Sequence, residues 1–234
     1  MSNNATIIYC SSNKEDPLFE AKVKETILKH CGGLPIISVT QKPIDFGKNI
    51  CVGDSIGASG FNFFRQVQIG LMEAKTEFVI SAESDCMYPP DYFTFRPERN
   101  DKCYRSSNLY VMPDLRAYYF YKREGATHAQ IVGREFYLNA LNKLFDGAPQ
   151  WSAEEKNFPK ERHNLEDVFI DSDIIRHNLI ANPVFQVKTH KGLRYYTHSD
   201  RTPIAEIKYW GLGEPIRKWL IKGAEYKNKP WEKI

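Results

Sequence analysis

The sequence predicts an α/β protein, a mixed, mainly parallel sheet flanked by helices in one compact domain with a basic C-terminal tail, and three observations predict it. Strand, helix and strand patterns follow one another within the first forty residues, the signature of a parallel βαβ unit. A second helical pattern, Phe61 to Ala74, runs into the apolar stretch Phe78-Val79-Ile80, suited to a strand buried on both faces. That stretch ends at the polar cluster Glu83-Ser84-Asp85, where an open α/β sheet carries its ligand loops.

Each element has a local cause. Thr6 to Cys10, TIIYC, is a compact apolar strand, and Ser11 to Pro17 is the polar loop that leaves it. Asp16 followed by Pro17 marks a helix start, Leu18, Ala21, Val23, Ile27 and Leu28 give its stripe, and Gly32-Gly33 ends it. A second strand spans Pro35 to Val39. Gln41 to Gly60, rich in Gly, Asp, Asn and Lys, reads as a long mobile loop at the edge of the site, and its glycines fit neither a dinucleotide fingerprint nor a phosphate loop. In the helix that follows, Phe61, Phe64, Val67, Leu71 and Ala74 face the sheet, while Arg65 lies on another side, as a surface charge or a phosphate contact.

Pro89-Pro90 stops the strand that carries the acids, and Tyr104 to Met112 and Leu115 to Lys122 then form a hairpin or two mixed strands around Pro113-Asp114. Gly125 to Ala129, with His128 in it, leads into a helix from Gly133 to Phe145, closed by Asp146-Gly147. His128 is either a satisfied structural histidine or a ligand contact. Asn164 to Phe169 opens a helix with Glu166 and Asp167, whose charges suit the positive end of the macrodipole. They cap it, or Asp167 takes a proton from an attacking hydroxyl. After a strand at Pro183 to Lys188 come His190, Lys191 and His198, and the remainder, with Trp210, Trp219 and Trp231, wraps back on the body.

A chain of 234 residues with 42% hydrophobic content builds its core without staples. The five cysteines are odd in number and scattered, which points to a reducing compartment, the cytoplasm, rather than a disulfide scaffold or a zinc site. No apolar run approaches the ~20 residues that span a bilayer, and MSNNATIIYC lacks a basic region before a long apolar one, so a soluble, untargeted protein is expected. A net charge of +3 is too small to argue for nucleic acid by itself. Gln186 to Ile234, however, carries eleven Lys or Arg against five acids, so that end suits anions or is merely solvated.

Glu83 and Asp85, two positions apart, would point the same way in extended backbone and could share one hard divalent cation through oxygen ligands. Alternatively they form an acidic strand cap that meets only water. Taken in order, the βαβ start, the helix running into a strand that ends in acid-x-acid, the glycine-containing segment before a helix, the Glu166-Asp167 pair and the late His190-Lys191-Gly192 resemble the GT-A-fold (Rossmann-like) nucleotide-sugar glycosyltransferases, in a small stand-alone form. The resemblance is best from Thr6 to Asp91 and continues in order to Arg194.

It implies that Asp85 and Glu83, the latter standing where aspartate is usual, hold Mn²⁺ or Mg²⁺ against the diphosphate of a nucleoside-diphosphate sugar. It further implies that Ser11, Ser12 and Asn13 meet the nucleoside and that Arg65, Ser84, His128 and Lys191 contact the donor. Asp167, beside Glu166, would be the base of an inverting transfer, and His190 or His198 a late metal ligand. Residues 1–100 then form the donor half, 101–200 the acceptor half and 201–234 the tail. The acceptor is a glycan, or a hydroxymethylated pyrimidine in DNA if Tyr195, Tyr196, Trp210 and Trp219 stack on bases. Two other classes are a sugar-nucleotide nucleotidyltransferase, for which no glycine-rich triphosphate loop follows Ser11, and a non-catalytic nucleic-acid binding module, which predicts no donor turnover.

Overall fold

The structure, a computed structural model, describes residues 4–114, 116–122, 125–154, 168–177, 180–192 and 199–222. In chain order its elements are β1 (Ala5–Ser11), α1 (Pro17–His30), β2 (Ile36–Thr40), β3 (Lys48–Cys51), α2 (Gly60–Glu73), β4 (Phe78–Glu83), β5 (Cys86–Met87), α3 (Pro90–Thr94), β6 (Cys103–Ser106), β7 (Leu109–Pro113), β8 (Phe120–Tyr121), β9 (Gln130–Gly133), α4 (Arg134–Leu144), β10 (Ile174–His177), β11 (Val184–Lys188), β12 (Glu206–Ile207), β13 (Gly211–Leu212) and α5 (Gly213–Lys222).

Among the described residues seven strands form one sheet in the order β10-β6-β9-β4-β1-β2-β3. Only β9 opposes its neighbours, so the sheet is the mixed, mainly parallel one expected. β1 sits in its middle, paired with β2 and β4, and is buried along its whole length. Its side chains alternate between two cores, as the pleat requires. Ile7 and Tyr9 pack with Phe19, Val23 and Ile27 of α1, while Ile8 and Cys10 pack with Phe61, Phe64, Val67 and Leu71 of α2 and Leu141 of α4. Asp16 caps α1 by accepting from the backbone of Leu18 and Phe19, with Pro17 in the first turn, and Ser59 caps α2 by accepting from Asn62.

A second sheet, β5-β11-β7-β8, covers the α1 side near the carboxyl end of β4. It splits the stretch Tyr104 to Met112: β6 joins the large sheet and β7 the small one, where β7 and β8 make the hairpin. β3 corrects the reading of Gln41 to Gly60 as loop throughout. This edge strand is four residues long and largely exposed, so it lacks the apolar signature of a buried strand. The helix expected from Asn164 does not extend through the described residues Val168 to Ile170, which are non-helical; Val168 and Phe169 are buried, and Phe169 stacks on Phe136. In the C-terminal region Trp210, Ile216, Trp219 and Leu220 are part of the α1-side core, and Trp231 lies outside the described residues.

Gly133 shows how closely the layers meet. A Cβ there would overlap the carbonyl of Asn100, which is backbone and has nowhere to go, whereas one at Gly125 would stand 3.3 Å from Cβ of Arg105, a tight contact that asks this neighbour to give by only a few tenths of an ångström. Gly133→Ala is therefore expected to cost about 3 kcal/mol or more in urea unfolding, and Gly125→Ala much less. Equal melts for the two variants would rule out this packing.

Candidate donor and cation site

The site grows from the pairing of β1 with β4, because parallel strands put their loops at one end of the sheet. The register places Cys10 beside Glu83, so the loop after β1 starts next to the acids. Ser11, the last residue of β1, accepts at its carbonyl from Gln66 Nε2 at 3.1 Å and at its hydroxyl from the amide of Asn13 at 2.9 Å. Asn13, with a left-handed φ of 54°, in turn accepts from the amide of Lys42 at 2.8 Å. The Ser11-Ser12-Asn13 loop is thus fixed to the loop after β2.

β4 does not run on in extended form past Glu83. Ser84 and Asp85 make a turn, and Cys86 and Met87 enter the small sheet antiparallel to β11, with Cys86 opposite Gln186. The turn, not a common strand face, brings ligand atoms of Glu83, Asp85 and Cys86 within 4.8 Å of one another. It is held from both sides. The Asp85 carbonyl accepts from the Val187 amide at 2.8 Å, and the Glu83 amide donates to Tyr88 Oη at 2.9 Å, which itself donates to the His128 carbonyl at 2.8 Å. In the Asp85 carboxylate, Oδ2 accepts from Gln186 Nε2 at 2.8 Å and Oδ1 from the Cys86 thiol at 3.2 Å.

This donor set fits a hard cation. Two half-exposed carboxylates supply oxygen, and the orientation of Asp85 is fixed before any ion arrives. Cys86 does not compete as a soft ligand: burial, then the charges of Asp85 and Glu83, push its thiol well above the usual range, so it stays protonated.

A third acid adjoins the turn. Glu15 is buried, and both carboxylate oxygens lie within reach of Thr189 Oγ1, at 2.8 and 2.9 Å. Burial raises its pKa to about 7; the Thr189 hydrogen bond and Lys191 oppose the rise, while Asp85 and Glu20 add to it. Glu15, Tyr88, Gln186 and Thr189 were not among the residues expected from sequence. Only Gln186, a polar residue inside the apolar strand VFQVK, carried a local signal.

The other expected residues divide. His128 lies at the acid turn through Tyr88, fully buried; burial first, then Lys122 and Lys188, hold its pKa well below the usual value, and its Nε2 has no hydrogen-bond partner among the described residues. Lys191 lies in the turn after β11. His190, in the same turn, directs Nε2 toward Asp114 Oδ1 at 3.8 Å. Arg65 is engaged away from the acids: its guanidinium donates to Gln68 and to the carbonyls of Ala148 and Pro149 and lies 3.9 Å from the centre of the Phe145 ring. The helical stripe that packs α2 on the sheet leaves Arg65 facing the end of α4 instead. Glu166, Asp167 and His198 lie outside the described residues.

No helix among the described residues is long and apolar enough to cross a membrane. No protein-family model matches the chain, and no curated protein matches it. Solved structures with a similar course of backbone include a glycosyltransferase involved in the glycosylation of the major capsid of PBCV-1, over 74% of this chain and 81% of that one, at 16% identity and a TM-score of 0.44. S. aureus TarS 1-349 in complex with UDP-GlcNAc is similar over 82% of this chain and 61% of that one, at 12% identity and a TM-score of 0.44. The bifunctional IspDF from Campylobacter jejuni is similar over 59% of this chain and 43% of that one, at 13% identity and a TM-score of 0.34. With every one of these TM-scores below 0.5, a functional assignment has to come from the side chains described above.

Proposed function

We propose that this chain is a cation-dependent glycosyltransferase that moves a sugar from a nucleoside-diphosphate sugar to an acceptor hydroxyl. The observation that carries the reading is the meeting of three loops at the carboxyl ends of the parallel strands: the β1 loop, the Glu83-Asp85 turn and the turn after β11. Asp85, with Glu83, would hold Mn²⁺ or Mg²⁺, which when bound offsets charge building on the departing diphosphate. Ser11, Ser12 and Asn13 border the nucleoside, Lys191 faces the phosphates, and buried His128 keeps an uncharged ring behind the acid turn. Asp167 removes the proton of the acceptor hydroxyl as that oxygen attacks from the face opposite the diphosphate, which inverts the anomeric carbon. The burial of Trp210 and Trp219 takes both out of any base-stacking surface, so a glycan hydroxyl is the acceptor favoured over modified DNA.

The test is incubation with Mn²⁺ and a panel of nucleotide sugars without acceptor, following release of nucleoside diphosphate. One donor should be hydrolysed slowly and the signal should vanish with chelator. No turnover together with no thermal shift from any donor would overturn the reading. Asp167→Asn should lower transfer by about 10²–10⁴-fold while donor affinity stays within about twofold. Near-full activity in that variant removes Asp167 from the base role.

A further inference from the structure

We propose that Glu15 is a positioning residue that clamps the turn after β11 to the loop after β1 and so holds Lys191 over the acid turn. The proposal rests on the glycosyltransferase reading only for what Lys191 meets there, the donor's diphosphate.

The geometry is a relay of two hydrogen bonds. The hydroxyl of Thr189 donates into the Glu15 carboxylate, midway between its oxygens at 2.8 and 2.9 Å, and the same hydroxyl oxygen accepts from the amide of Lys191 at 3.3 Å. Glu15 and Thr189 are 174 positions apart in the chain, so the bond ties two loops that share no strand. Gly192 follows in the same turn, where a Cβ would stand in ordinary contact, 3.8 Å from Glu15 Oε1 and 3.7 Å from the Thr189 carbonyl.

The choice of residue type separates a functional clamp from a passive one. Glu15 is 9% exposed, although its neighbours Lys14 and Asp16 are exposed. A buried carboxylate is unfavourable unless compensated, and here the fields of Asp85 and Glu20 disfavour its charge further. A neutral amide would accept the same hydroxyl proton without that opposition. What an acid adds is attraction for the Lys191 ammonium, whose charge acts on Glu15 across the turn. Glu15 therefore fixes the backbone of Lys191 through Thr189 and draws its ammonium by charge, which keeps that cation on the side of the turn where a diphosphate would bring its own negative charge.

A double-mutant cycle tests this. In acceptor-free donor hydrolysis, Glu15→Ala and Lys191→Ala should each raise KM for the donor about tenfold with kcat little changed, and the double variant should be no worse than either single one. Thr189→Val should match Glu15→Ala, and Thr189→Ser, which keeps the hydroxyl, should restore the wild-type KM. Additive losses of about a hundredfold in the double variant, or failure of Thr189→Ser to restore binding, would overturn the proposal. A second arm needs no donor. Trypsin cleavage of the full chain after Lys191 should be at least about fivefold faster in Glu15→Ala than in wild type, with the rest of the digestion pattern unchanged. An unchanged rate at Lys191 overturns the clamp even if sugar transfer is established. If wild type turns over no nucleotide sugar, the glycosyltransferase reading falls, and the proteolysis arm decides the clamp by itself.

Discussion

Asp85→Ala is expected to abolish the heat of Mn²⁺ and nucleoside diphosphate binding in calorimetry and to lower acceptor-free donor hydrolysis by at least about 10²-fold. Its carboxylate is the best oriented oxygen donor of the acid turn, fixed by Gln186 and Cys86 on its side chain and by Val187 on its backbone. Removing it leaves Gln186 Nε2, in a residue 6% exposed, without its acceptor, which costs about 1–3 kcal/mol. Asp85→Asn controls for that loss, because its amide oxygen can still accept from Gln186 while the negative charge is gone. Both variants should therefore lose the cation, and only the alanine should melt appreciably lower. Cys86→Ser should keep cation-dependent hydrolysis, since the wild-type thiol is protonated and contributes no charge. Unchanged calorimetric affinity in Asp85→Ala would exclude this residue from the cation site, and loss of affinity in Cys86→Ser would point to a thiolate-held, softer metal instead.

How far the sequence carried the description depends on whether a signal was local. β1, α1 and β2 could be read because each has its own punctuation: TIIYC, Asp16-Pro17 and Gly32-Gly33. The acid turn was legible as residues, since Glu83 and Asp85 follow an apolar run and precede two prolines. Its shape was not. The turn is set by pairing of Cys86 and Met87 with β11, about a hundred positions later, and two-residue strands leave no period to detect. Glu15 illustrates the same limit, because in sequence it is one charge in the run Lys14-Glu15-Asp16, and only Thr189 makes it different. Arg65 was expected near phosphate from its position before the acids, but helical phase turned it toward Phe145. The late tryptophans read as anchors that hold a basic tail against the body, and lysines and arginines alternate with them. The lysine-rich composition describes what faces water, and Trp210 and Trp219 between those charges belong to the core.

Trp210→Ala is expected to be the most destabilising single change outside the backbone, at about 3–5 kcal/mol. The indole is fully buried, its Nε1 donates to the Pro183 carbonyl at 2.7 Å, and it packs edge-on against Phe185 at 5.2 Å and Tyr209 at 5.0 Å. For a chain of this length each kcal/mol corresponds to about 2–4 °C, so the melting temperature should fall by about 6–20 °C. Trp210→Phe keeps most of the apolar volume and loses only the donor to Pro183, so it should cost about 1–3 kcal/mol. The effect has a functional side, because Phe185 and Gln186 are neighbours on β11 and Gln186 holds Asp85. A cavity beneath Phe185 loosens the strand that orients the carboxylate, so Trp210→Ala should bind the cation more weakly even well below its melting temperature. Were Trp210→Ala to melt within about 2 °C of wild type, the C-terminal segment could not be part of the core, and the support it gives the acid turn through β11 would be lost with it.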